Sequence, residues 1–215
     1  MCIRDSMAIV DETGTAIGEE YTLALAVRFI LSRKPGPVVV NASTSRVIDE
    51  IASEYGVKVT RTQVGEIHVS GKMKEIGAVI GGEGNGGVIL PDSHLGRDGV
   101  LAIALSLQQL LEYGGPVSRL WKAQPQYAMS KEKIGIGTAD PDRILKEVEE
   151  NHRNLSMDKM DGLKIAGPDS WVQIRKSNTE PIIRVMAEAG TKEAADALCI
   201  TYLEEIKQLL DTRDV

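Results

Sequence analysis

Ala78-Val79-Ile80-Gly81-Gly82-Glu83-Gly84-Asn85-Gly86-Gly87-Val88-Ile89-Leu90-Pro91 decides how the first half of the chain is built. Gly82, Gly84 and Gly87 match the G-x-G-x-x-G spacing of a dinucleotide site. That fingerprint must open a helix whose N-terminus holds a pyrophosphate. Here the loop enters a second apolar run that ends at Pro91, so the unit reads as strand, loop, strand. Glycines can also bring backbone close to a ligand while Glu83 and Asn85 stay free to reach it. A carboxylate accepts from two hydroxyls and an amide both donates and accepts, a pairing suited to vicinal sugar hydroxyls. A plain glycine turn with a solvated glutamate is the competing reading.

Outward from this loop, helices and short apolar strands alternate. Glu19 to Leu31 is predicted as a helix with acidic residues in its first turn, and Pro35-Gly36-Pro37 breaks it. Val38-Val39-Val40 reads as a buried strand, followed by a helix opened by Ser43-Thr44 and carrying Val47, Ile48 and Ile51 on one face. Val57 to Thr60 is the next strand, and a helix around Gly65 to Ile76 leads back to the loop. A long helix from about Asp98 to Glu112 closes the unit, with Asp98 its expected cap beside His94 and Arg97. Such alternation implies an α/β layered domain on a mixed sheet. Tyr113-Gly114-Gly115-Pro116 is the expected linker. Beyond it come a strand from Tyr127 to Ile136, a helix from Pro141 to Asn151 capped by Asp140, a hairpin, and a last helix from about Lys192 to Leu210. That pattern fits a smaller α+β domain with a C-terminal helix.

The composition narrows the class. Hydrophobic residues make up 42% and charged residues 26%, enough for a globular core built on Val, Ile, Leu and Ala because aromatics are only 4%. A formal charge of −6 argues against nucleic acid as a partner. No apolar stretch reaches the ~20 residues that span a bilayer, so no membrane association is expected and a cytoplasmic location is the default. Cys2 and Cys199 have neither disulfide nor metal-ligand spacing, and Cys199 lies in an apolar helical pattern as a small core residue.

The hairpin turn carries Arg175-Lys176-Ser177-Asn178-Thr179-Glu180-Pro181-Ile182-Ile183-Arg184. Two arginine forks around hydroxyls, an amide and free turn N–H groups could cradle a phosphate monoester. Ser, Asn, Thr and Pro also favour turns for local reasons, and the residues alone leave both readings open. The run resembles the phosphate-binding loop in the C-terminal domain of the α-D-phosphohexomutases, which interconvert 1-phospho and 6-phospho sugars. Gly82 to Gly87 resembles the sugar-recognition loop of their third domain, in the phosphoglucosamine mutase and phosphomannomutase branch. The resemblance runs from about Met7 to the C-terminus.

The resemblance implies that Glu83 and Asn85 contact the sugar's 3- and 4-hydroxyls, while Arg175, Ser177, Asn178, Thr179 and Arg184 clamp the non-reacting phosphate. It implies no catalytic residue and no metal ligand within this sequence. The family transfers phosphate through a phosphoserine in an N-terminal domain and a Mg²⁺ ion in an Asp-x-Asp-x-Asp-Arg loop; neither has a counterpart here. Met1 to Ser6 is expected to be a non-native scar. The chain is thus expected to be the C-terminal half of a phosphohexose mutase, with the third domain at residues 7–114 and the fourth at 117–215. Its partners would be a hexose or hexosamine phosphate and the missing N-terminal domains. Mg²⁺ would serve the full-length enzyme, with none bound by this half, which would be inactive alone. A complete, non-catalytic phosphosugar-binding module is the alternative. Two departures stand out: Gly87 replaces a histidine common in the family, and Ala42 replaces a sugar-contacting lysine of some members.

Overall fold

The computed structural model describes residues 3–177 and 179–211 and forms two compact units that divide after Gln126. The first unit contains α1 (Glu19–Leu31), β1 (Val38–Asn41), α2 (Val47–Glu54), β2 (Val59–Thr62), α3 (Glu66–Ile76), β3 (Ile80–Glu83), β4 (Gly87–Ile89), α4 (Gly99–Tyr113) and α5 (Val117–Lys122). Its sheet has the order β2-β1-β3-β4. β1 runs parallel to both β2 and β3, with Val38 opposite Val59 on one side and Ile80 on the other. β4 folds back antiparallel, with Glu83 opposite Gly87. The mixed sheet results directly from the glycine loop, because a two-strand hairpin there forces the antiparallel edge.

All three valines of β1 are fully buried, as expected for a central parallel strand covered on both faces. Val39 joins Val69, Met73, Ala78 and Ile89 in a cluster beneath α3. α1 packs against α2, α4 and β3, burying Leu23, Leu25 and Leu31 completely. Gly77 and Gly114 end α3 and α4 in the left-handed conformation, with φ of 65° and 66°. Residues 3–5 form a 3-10 turn, and the Met7 N–H donates to the Gly86 carbonyl at 3.1 Å.

Tyr113 to Pro116 does not separate the two units. The chain continues into α5, whose Leu120 is 6% exposed. The Tyr21 hydroxyl donates to the Pro125 carbonyl at 3.0 Å, and Arg28 Nε donates to Gln124 Oε1. These ties hold residues 117–125 to α1, which moves the boundary from the expected 114–117 to 126–127.

The second unit contains β5 (Ala128–Gly135), α6 (Pro141–Asn151), β6 (Met157–Asp158), β7 (Leu163–Ala166), β8 (Trp171–Lys176), β9 (Ile182–Ala189) and α7 (Lys192–Asp211). Its sheet, β5-β9-β8-β7-β6, is antiparallel throughout. Ile174, Ile183, Val185 and Ala187 pack one face against Ile144 and Val148 of α6 and Cys199, Tyr202 and Ile206 of α7. The alternate positions of the strands therefore point to the face without these helices. Among the described residues no helix is long and apolar enough to cross a membrane.

Candidate functional site

β1, β2 and β3 all end at one edge of the first sheet, where Asn41, Thr62 and Glu83 are their last residues. In open α/β sheets the crevice beyond these carboxyl ends is the usual ligand position. Glu83 sits there with 4% exposure. Its Oε1 accepts from Asn41 Nδ2 at 2.9 Å and from the Gly65 N–H at 3.0 Å. Its Oε2 lies 3.2 Å from Arg97 Nη1. Gly65 is the N-cap of α3, so the carboxylate also lies where the helix dipole favours negative charge.

The neighbouring loop is held by its own network. Asn41 Oδ1 accepts from the Ser43 N–H and the Thr44 hydroxyl, and Thr44 Oγ1 accepts from the Gly84 N–H at 3.2 Å. Arg61 donates to the carbonyls of Asn41 and Thr44, at 3.1 and 2.7 Å, and pairs with Asp49. Glu20 Oε2 accepts from the Ser45 N–H at 2.9 Å.

The glycines of the loop also have a role inside the protein. A Cβ on Gly84 would overlap the Glu20 carboxylate, and one on Gly87 would overlap Arg97 Cδ. They make room for the protein's own charged groups. Consequently Glu83 does not reach out freely: its carboxylate is inside, with three partners. A carboxylate offers about four acceptor positions, which leaves Oε2 able to accept one more. Asn85 is exposed; its Oδ1 accepts from the Gly87 N–H at 3.2 Å, while its amide NH₂ has no partner among the described residues. Ala42, at the position noted for a family lysine, is 2% exposed and brings no charge.

Glu66 completes this group. Arg97 donates to it through its backbone N–H and through Nε, both at 3.0 Å. Burial pushes the Glu66 carboxyl up, but the two Arg97 hydrogen bonds and the guanidinium charge outweigh it and hold the group below the ordinary glutamate value. Asp98 caps α4 by accepting from the Leu101 N–H, as expected. The pairing of Arg97 with Glu83 and Glu66, and the roles of Asn41, Gly65 and Arg61, were not read from the sequence. Only Arg97 carried a signal there, as part of a polar cluster before a helix.

In the second unit, β8 and β9 form the hairpin that carries the other predicted residues. Arg175 stands directly opposite Arg184, and Arg184 stands opposite Lys133 on β5. Directly opposed residues share a face with Cβ atoms roughly 5 Å apart, and like charges so placed repel. Arg184 is partly compensated by Glu180 at 3.3 Å. Arg175 has no partner among the described residues, and its Nε is buried without one. Lys176 points to the opposite face and pairs with Asp142 at 2.6 Å. The turn closes through the Ser177 N–H to the Ile182 carbonyl at 3.0 Å, and the Thr179 N–H approaches Ser177 Oγ at 3.4 Å. Ser177 and Thr179 thus flank the bend; Asn178 lies outside the described residues. Such a row of cations can bind a dianion.

Among the described residues no group of three or more His, Cys, Asp or Glu side chains could hold a metal ion. No residue here is therefore assigned to the magnesium implied by the resemblance.

Comparison with known proteins agrees with this fold and its division into two units. The profile described as phosphoglucomutase/phosphomannomutase, alpha/beta/alpha domain III, matches residues 18–127, and that of the C-terminal domain matches residues 131–201. A probable phosphoglucosamine mutase of Methanopyrus kandleri is 37% identical over 210 residues, 96% of this chain and 46% of that protein. A phosphoglucomutase/phosphomannomutase of Thermococcus kodakarensis is 38% identical over 207 residues, 94% of this chain and 45% of that protein. The chain thus spans about half the length of the curated relatives it matches. Among solved structures, a phosphoglucomutase/phosphomannomutase family protein of Burkholderia thailandensis superposes with a TM-score of 0.79 at 22% identity, over 95% of this chain and 44% of its own. An Aspergillus fumigatus N-acetylphosphoglucosamine mutase, solved with GlcNAc-6P and magnesium, superposes with a TM-score of 0.64 at 15% identity, over 97% of this chain and 47% of its own. These two likenesses establish the fold. With both domain profiles matched in order, the chain belongs to the phosphoglucomutase/phosphomannomutase family.

Proposed function

We propose that these two units supply sugar and phosphate recognition to a phosphohexose mutase, which interconverts hexose or hexosamine 6-phosphate and 1-phosphate through a phosphoserine and a bisphosphate intermediate. The observation that carries this is the Arg175–Arg184 cross-strand pair, in which Arg175 has a buried Nε and no protein partner among the described residues. Opposing two cations across a hairpin is unfavourable, and Glu180 offsets only Arg184, so a bound anion would relieve Arg175 as well. Arg175 and Arg184, with the Ser177 and Thr179 hydroxyls and Asn178, clamp the phosphate that is not reacting. Glu83 accepts a ring hydroxyl through Oε2, and the free amide of Asn85 takes its neighbour. The names of the relatives support a hexosamine or hexose phosphate as the substrate class.

Positioning and charge neutralisation dominate phosphoryl transfer, so recognition groups of this kind contribute directly to rate. The transfer chemistry, with the magnesium that the family employs, is assigned to other residues than these. Sugar phosphates are charged solutes that do not cross a bilayer unaided, which supports a cytoplasmic setting.

Replacing Arg175 and Arg184 by alanine together tests the clamp. Each arginine contributes about 1.5–3 kcal/mol in charge-assisted hydrogen bonds, so the double variant should lose phosphate affinity beyond detection by calorimetry. Unchanged affinity would remove the clamp. Mutase turnover by the 215-residue chain on its own would overturn the division between recognition and transfer.

A further inference from the structure

Arg97 has no role in the recognition scheme so far, yet it is the residue around which the glycine loop is shaped. Its backbone N–H and Nε are both committed to Glu66 at 3.0 Å, which fixes the stem and the plane of the fork. Nη1 then lies 3.2 Å from Glu83 Oε2. Nη2 has no partner among the described residues. The side chain is 18% exposed and that of Glu83 is 5%, so the fork links a buried carboxylate to the surface of the crevice. The stem crosses directly over Gly87: a Cβ there would overlap Arg97 Cδ and lie 3.1 Å from Cγ. A side chain at residue 87 would therefore require the Arg97 stem to move from this place.

We infer that Arg97 is a specificity-determining residue for the sugar: it positions Glu83 through Nη1 and donates from Nη2 to a hydroxyl of the bound hexose, and Gly87 is a glycine in order to admit it. The fork suits both tasks because a guanidinium carries five donors in one rigid plane, here divided between two carboxylates and an open edge. A lysine would keep the charge and lose the division. The inference rests on Glu83 and Asn85 being the sugar contacts.

The test uses the whole 215-residue chain, with glucosamine 6-phosphate and inorganic phosphate as separate probes in chemical-shift titrations. The wild type should bind glucosamine 6-phosphate more tightly than phosphate. Arg97→Met should lower glucosamine 6-phosphate affinity about tenfold or more, the loss of one charge-assisted contact, and leave phosphate affinity unchanged. Arg97→Lys should recover part of the loss and covers the case in which the methionine variant does not fold. Gly87→Ala should cause a loss close to that of Arg97→Met, and the two together should be no worse than either, because they act on one group. Glucosamine 6-phosphate affinity unchanged in Arg97→Met, equal loss of both probes, or additive losses from the two substitutions would each overturn the inference. A wild type that binds both probes equally would overturn the sugar reading itself, and the inference with it; a wild-type preference that survives in Arg97→Met sinks the inference alone.

Discussion

Glu83→Gln separates the charge of this residue from its shape. The amide oxygen can still accept from Asn41 Nδ2 and the Gly65 N–H, which now lie 2.9 and 3.0 Å from Oε1. The other carboxylate oxygen becomes an NH₂ group that faces Arg97 Nη1, donor against donor, at a spacing now 3.2 Å. Breaking a buried ion pair by removing one charge costs roughly 3–5 kcal/mol, because the remaining charge stays desolvated. Arg97 keeps Glu66, so part of that cost is avoided, and about 2–3 kcal/mol is the expected loss. In a unit of this size each kcal/mol lowers Tm by about 3–5 °C, so the expected decrease is roughly 6–15 °C. Urea unfolding monitored by hydrogen exchange and mass spectrometry would read the loss in β1, β3 and α3, the elements that meet at Glu83. A change below about 0.5 kcal/mol, the size of an ordinary surface substitution, would refute a paired, buried carboxylate at this position.

The ion pairs of the first unit also respond to acid. Hydrogen bonds from Arg28 hold Glu54 below its ordinary value, and Glu66 is held down by Arg97 against the effect of burial. A depressed folded-state value adds stability above the unfolded value of ~4.3, and that stability is lost as pH falls through the folded one. The urea midpoint of the first unit should be flat from about pH 7 to 5 and fall below about pH 4; a constant midpoint down to about pH 3 would contradict these pairings. In the second unit, Cys199 is fully buried, with its S–H directed to the Ser130 and Val185 carbonyls at 3.5 and 3.7 Å, and burial pushes its thiol up. Its labelling by a thiol reagent at mildly alkaline pH should track unfolding of that unit, and rapid labelling of the native protein would show that the site is open.

Much of the architecture was legible because it rests on local signals. α1 and α6 begin and end where the acidic first turn, the Pro35-Gly36-Pro37 break and the Asp140-Pro141 cap place them. The glycine loop was recognisable as a hairpin because Val88-Ile89-Leu90-Pro91 cannot open a helix. β6 and β7 were missed: two and four residues long, they gain strand character only by pairing with one another and with β8. α5 was passed over because Gly114-Gly115-Pro116 reads as a break, and only Leu120 and the Gln124 and Pro125 contacts attach residues 117–125 to α1.

The candidate site divides in the same way. The identities of Arg175, Ser177, Thr179 and Arg184, with Ser177 and Thr179 at a turn between two strands, come from the chain alone, since strand alternation and turn chemistry act within a few residues. That Arg175 opposes Arg184 rather than its neighbour, and that Lys133 joins the row, depends on register, which pairing settles. Glu83 shows the difference most sharply. The sequence determined that a carboxylate comes after two glycines at the end of a strand. Folding decided that it lies inside, because its partners Asn41, Gly65 and Arg97 stand 42, 18 and 14 positions away and only the packing of β1, α3 and the segment before α4 brings them together. Local preferences choose the elements; the cost of leaving a charge unpaired chooses its partners, and those partners come from wherever the fold delivers them.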